Sequence, residues 1–289
     1  MTAPAVGARA RWTPAGLVWR YLSGRVSRPF VLRLVGPLSI VCFALGAALA
    51  IAHFPTSYDV RHRWISTLAS ARSNPNGYAY LGIGLVALAA VLAPLPGYFR
   101  GCLRELGRRG TGAALLLWIG IVGLALLGVE IAVFPNPGRT RTSHHVFTTM
   151  TFIGLTGGFL AFAVASTRRR GIGRVDRCLA ALACAVLAMP GTIATVIYVT
   201  RSARATRTAE ALTWAAATPG RELPFLLKLA FWEWTAVGGL FVGGYLCAWA
   251  ASRDVAEPSP QIVRRPPTAD EATSRHATSS ASPGVKAPA

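Results

Sequence analysis

Six stretches of eighteen or more predominantly apolar residues punctuate the chain: Leu34–His53, Tyr78–Leu95, Thr111–Phe134, Val146–Thr167, Cys178–Thr200 and Phe225–Ala251. At 1.5 Å of rise per residue, about twenty helical residues cross a hydrocarbon core ~30 Å thick. Backbone polar groups find no water there, so each stretch must satisfy them internally as a helix. The pattern predicts an all-α fold, a polytopic transmembrane six-helix bundle. Composition agrees: 53% of the 289 residues are hydrophobic and 14% charged, where a soluble domain carries roughly a quarter charged. The first run follows a basic leader, as a signal peptide would. Its apolar core of about nineteen residues is longer than the usual ~7–15, so it is read as a retained helix.

The net charge of +19 is nearly all arginine, since Lys228 and Lys286 are the only lysines. These arginines lie mainly in short links beside apolar runs. That distribution favours topogenic charge and anionic lipid headgroups, and it points to the bilayer as partner with no nucleic acid. Sixteen arginines fall in the leader, the second and fourth links and Arg253, against nine in the first, third and fifth links. The positive-inside bias therefore predicts a cell-membrane protein with both termini cytoplasmic. Cys42, Cys102, Cys178, Cys184 and Cys247 all avoid the outer links, so no extracellular disulfide framework is expected.

Three regions follow: residues 1–33 as a basic cytoplasmic leader, 34–251 as the transmembrane domain, and 252–289 as a cytoplasmic tail. Trp12–Arg33 mixes Trp12, Leu17, Trp19, Tyr21 and Leu22 with arginines, which fits either an interfacial helix or a disordered leader. The tail is rich in Pro, Ser, Thr and Ala and is expected to be disordered. Pro190–Gly191 should kink the fifth helix. "GGLFVGG" at 238–244 marks close packing of the sixth.

"IAHFP" at 51–55 ends the first run and "IAVFP" at 131–135 ends the third. The eighty-residue offset suggests parallel two-helix repeats; an interfacial aromatic followed by a helix-ending proline gives the same pattern without repetition. The stretch "DVRHRWISTLASARSNPNGYAYLGIGL" at 59–85 resembles a bacterial membrane-protein family known as domain of unknown function 998. In that family an Ile-Ser-x-Leu element in the first outer loop leads into the second helix, and a later helix ends in Phe-Pro before a loop with histidine. Ile65, Ser66, Leu68, Phe134, Pro135 and His144 match. The acidic residue expected soon after the second Phe-Pro is replaced by "NPGRT". The resemblance implies the six-helix architecture and carries no reaction.

His53, Asp59, Arg61, His62, Arg63, Ser66, Glu130, Arg139, Arg141, His144, His145 and Glu233 form the candidate polar cluster, all on the predicted outer side. Glu130 should lie about 6 Å below Phe134, and Glu233 about 12 Å below Phe225. Carboxylates at such depths usually face a cavity or a partner. Three chemistries compete with a purely structural role. The arginines could bind an anionic lipid headgroup or another anion, oriented by Glu130 and Glu233. His62, His144 and His145 with Asp59 could hold zinc for a lipid hydrolase, although adjacent histidines rarely share one ion. Glu130 and Glu233 could instead titrate in a proton-coupled transporter gated at Pro190–Gly191. No cofactor and no catalytic residue is assigned, and the oligomeric state is not legible.

Overall fold

In the computed structural model, residues 13–60, 63–103, 108–134, 142–168, 173–207 and 229–252 are described. All regular structure among them is helical. We number the helices α1 (Pro14–Leu22), α2 (Arg28–Ala52), α3 (Ile65–Leu68), α4 (Tyr78–Cys102), α5 (Arg108–Val133), α6 (Thr142–Thr167), α7 (Arg174–Arg207) and α8 (Leu229–Ser252). Five contain segments long and apolar enough to cross a membrane: Arg28–Ala52, Tyr78–Cys102, Arg109–Val133, Thr142–Thr167 and Arg174–Ile193. The tail 253–289 and the first twelve residues lie outside the described residues.

The first span begins at Arg28, six residues earlier than the apolar pattern predicts. Ser27 accepts the Phe30 N–H at 3.4 Å, and Pro29 occupies the first turn, a position where its missing donor costs nothing. The helix then widens over Val31–Val35, where the Gly36 N–H bonds the Val31 carbonyl five residues back. Pro37 explains the widening, because its ring would otherwise collide with the carbonyl one turn earlier. Pro94 and Pro96 similarly interrupt α4 without turning the chain back.

Upstream, α1 docks onto the end of α4. The Tyr21 hydroxyl reaches the Ala90 and Val91 carbonyls at 3.1 and 3.0 Å. Gly24 follows with φ +68°, so close to Gly97 and Tyr98 that no side chain fits. Leu17, Val18 and Trp19 remain exposed.

Neighbouring helices meet backbone to backbone at glycines. A Cβ added at Gly46 of α2 would lie 3.0 Å from Gly84 of α4, and one at Gly82 would lie 2.7 Å from the Gly128 carbonyl of α5. Gly120 and Gly154 bring α5 and α6 together in the same way. Between apolar surfaces in lipid, contact of this kind replaces the missing hydrophobic drive. The pairings also put the Ala52 end of α2 and the Val133 end of α5 beside the start of α4. Both Phe-Pro exits are therefore at one end of the bundle.

Pro190 sits inside α7, which continues helical past it to Arg207. The Val186 carbonyl, four residues before the proline, loses its usual donor. Gly239 of α8 packs directly onto that carbonyl, where an added Cβ would lie at 2.9 Å. At Pro190–Gly191, where a kink is expected, the helix assignment continues through the proline, and Gly239 of α8 covers the carbonyl that lacks its donor.

Candidate functional site

Between α2, α3, α4, α5, α6 and α8 runs a cavity of about 160 Å³. One end is apolar, with Val31, Leu95 and Ala248 on its walls; the other, on the side of the Phe-Pro exits and called the outer end after the sequence expectation, carries Ser66, His144, Thr148 and Glu233.

That outer end is assembled around α3, four residues long and too short to hold itself. Its N-terminal amides would be orphaned in an apolar setting. Glu233, from the first turns of α8, supplies the acceptor: its Oε2 takes the Ile65 N–H at 2.8 Å, and the Ser66 N–H bonds the same carboxylate. A carboxylate at a helix N-terminus is favoured by charge as well as by hydrogen bonding. The other end of α3 is tied by Asn74, which is fully buried. Its Nδ2 donates to the Leu68 carbonyl at 3.2 Å and to the Ala50 carbonyl of α2 at 2.9 Å. One amide thus caps the ends of two helices.

The chain entering α3 is pinned as well. Tyr58 donates its hydroxyl to the carbonyls of Arg63 at 3.2 Å and Trp64 at 2.8 Å, while the Trp234 indole donates to Arg63 at 3.3 Å. Burial pushes the Tyr58 phenol above its ordinary value. The Arg63 guanidinium lies over the Phe54 ring, 4.8 Å from its centroid.

Across the cavity, α5 and α6 contribute a second carboxylate. Ser143 donates its hydroxyl to Glu130 Oε1, and His144 brings Nδ1 to 3.7 Å from Oε2. Glu130 is 9% exposed, and among the described residues its Oε2 has no hydrogen-bond partner; neither has the buried hydroxyl of Thr148 one turn beyond His144. By contrast, Thr151 and Ser166 of the same helix bond the carbonyls four residues back at 2.7 and 2.8 Å.

Four of the twelve cluster residues, Ser66, Glu130, His144 and Glu233, thus gather at or beside one cavity end. Glu233 lies about 6 Å along α8 from Leu229, the first described residue of that helix; its expected depth below Phe225 falls outside the described residues. Among the described residues Glu130 faces Ser143 and His144, and Glu233 faces the α3 amides; the expectation that they orient Arg61, Arg139 and Arg141 falls on residues outside the described ones. His53 stands apart. It closes the end of α2 through Nδ1 and the Leu49 carbonyl at 2.9 Å, and its ring lies 4.8 Å from that of Tyr80. Asp59 is exposed and accepts the Arg63 N–H on its carbonyl at 2.9 Å. His145 is exposed, its ring edge-on to His144 at 6.2 Å. Arg61, His62, Arg139 and Arg141 lie outside the described residues, and with them the pairing of His62 and His144. Among the described residues, no group of three or more His, Cys, Asp or Glu side chains is placed to hold a metal ion.

Sequence reasoning missed Asn74, Tyr58, Ser143, Thr148 and Trp234. Asn74 opens "NPNG", whose Asn-Pro and Asn-Gly pairs announce a turn; nothing local announces that its side chain caps distant helices. The chain matches no family model, no curated protein and no solved structure.

Proposed function

We propose that the protein binds an anionic lipid headgroup at the outer end of this cavity. The observation that carries this reading is the cavity itself, whose outer end is lined by Ser66, His144, Thr148 and Glu233 and is flanked in sequence by arginine-bearing links. Glu130 is engaged by Ser143 and His144, and Glu233 by the α3 amides. Arg61 and Arg63 precede Ser66 by five and three residues, and Arg139 and Arg141 precede His144 by five and three. Guanidinium groups suit a phosphate, which they bond bidentately, and both links that adjoin this end in sequence carry a pair of them.

The architecture we propose around it is a six-span bundle in the cell membrane with cytoplasmic termini. Its sixth span is α8, about 36 Å long, and α1 lies along the inner interface with Leu17, Val18 and Trp19 toward lipid. The arginine asymmetry and the resemblance to domain of unknown function 998 support that arrangement. The shared end of the two Phe-Pro exits supports parallel two-helix repeats.

The test is native mass spectrometry of protein released from its own membrane, compared with the total lipid extract. Enrichment of phosphatidylglycerol or cardiolipin on the protein is expected, weakened by Arg63→Gln with Arg141→Gln. Bound lipids in the proportions of the extract would refute the reading.

A further inference from the structure

The headgroup reading uses only the outer end of the cavity and leaves its length unexplained. Leu81, Leu85, Leu88 and Leu92 line it along one face of α4, a rise of about 16 Å. A volume near 160 Å³ spread over that length is a slender channel. For scale, an apolar cavity of about 150 Å³ accepts one benzene, so this one has room for part of a single chain and not for two abreast. An empty channel would forfeit the dispersion contacts of every residue along it.

The channel also reaches the membrane-facing surface. Ile40 of α2 and Tyr245 of α8 both line it, yet are 49% and 38% exposed. They sit on the seam between α2 and α8, which is bridged by side chains at separated points. Arg28 lies over Trp249 at the inner end, Tyr245 packs on Gly36, and Phe43 meets Phe241 and Trp234 toward the outer end. Between Gly36 and Phe43, about 10 Å of helix, Ile40 faces the gap.

We infer that the channel holds one acyl chain of the lipid whose headgroup the outer end binds, admitted sideways from the bilayer between α2 and α8 at Ile40. The inference rests on the headgroup reading for its polar half. Transfer from bilayer to channel brings no hydrophobic gain, since lipid tails are as apolar as leucine. Preference for a given lipid must therefore come from the polar end, where the cavity-lining Thr148 hydroxyl, which has no hydrogen-bond partner among the described residues, can donate to a backbone ester carbonyl or accept from a glycerol hydroxyl. A single-file channel selects one chain, and the second chain of a diacyl lipid stays in the bilayer outside the seam.

The experiment is photocrosslinking of the reconstituted full chain with two probes. These are phosphatidylglycerol and phosphatidylcholine, each carrying a diazirine at mid-chain, with adducts mapped by peptide sequencing. With phosphatidylglycerol, adducts on Leu85, Leu124 and Leu155 are expected, beside those on bilayer-facing Ile83, Leu115 and Ile153. Ile40→Trp should reduce the channel adducts several-fold and leave the bilayer-facing ones unchanged. Equal channel labelling by both probes upholds the chain site and refutes the headgroup preference. Adducts confined to Ile83, Leu115 and Ile153 overturn the chain site, even if anionic lipid still co-purifies. The wild-type map decides this without the variant, should Ile40→Trp fail to fold.

Discussion

Replacing Asn74 by alanine removes the one side chain that closes two helix ends at once. Both Nδ2 bonds are lost, at 2.9 Å to Ala50 and 3.2 Å to Leu68, and two carbonyls are left buried. Each such group costs roughly 2 kcal/mol. The deletion also removes Oδ1, which has no hydrogen-bond partner among the described residues, and this returns about 1 kcal/mol. The net loss is about 3 kcal/mol. At 2–4 °C per kcal/mol for a domain of this size, the unfolding midpoint falls by about 6–12 °C. A thiol-reactive dye reads this in detergent, because Cys247 is 1% exposed and reacts only on unfolding. Asn74→Asp makes the reasoning sharper. It preserves shape but turns a carboxylate toward two carbonyls, and should be less stable than the alanine variant. An aspartate variant as stable as Asn74→Ala, or more stable, would refute the double cap.

Adjacent glycines in α8 should respond in opposite directions. Gly239→Ala drives a Cβ onto the Val186 carbonyl and should cost about 1–3 kcal/mol. Gly238→Ala meets nothing within 4 Å and should gain up to ~1 kcal/mol of helix propensity; thermal scans of the two variants side by side check both. Tyr58 supplies a pH test. Its phenol is raised in the folded state, so its contribution is fully present below the unfolded value of about 10 and is lost as pH rises through the folded one. Tyr58→Phe should be less stable than wild type by about 1 kcal/mol at pH 8, with the gap narrowing above pH 10 in denaturation curves. A gap that stays constant from pH 8 to 11 would contradict this origin.

The helices were readable because hydropathy over some twenty residues is a strong signal that proline and glycine modify only locally. Ser27 and Pro29 start α2 at Arg28, Pro37 widens it locally, and Pro94 interrupts α4 without ending the span. Ser66, Glu130, His144 and Glu233 were readable as candidates, since polar groups near helix ends in an apolar chain stand out. Their partners were not. Glu233 finds the Ile65 amide 168 residues away, and a backbone amide carries no side-chain mark in the sequence. Asn74 looked like part of a turn because its local role is that of a turn; its longer reach follows only from how α2 and α3 end beside it. The cavity was invisible for a similar reason. Leu81, Leu85 and Leu88 have the spacing of any buried helix face, and whether that face meets a side chain or a void depends on five other elements.

The helices are joined in two mechanically different ways. From α2 through α4 and α5 to α6, backbone rests on backbone at Gly46, Gly84, Gly82, Gly128, Gly120 and Gly154. Parting those seams requires collective helix motion, on the order of microseconds to milliseconds. The α2–α8 seam is spanned instead by rings, and an exposed ring such as Tyr245 changes rotamer in about picoseconds to nanoseconds without breaking a backbone hydrogen bond. The bundle is built like a book with a stitched spine and an unstitched fore-edge. Fluctuations that admit a guest are concentrated along one edge, and the remaining helices keep their register while it enters.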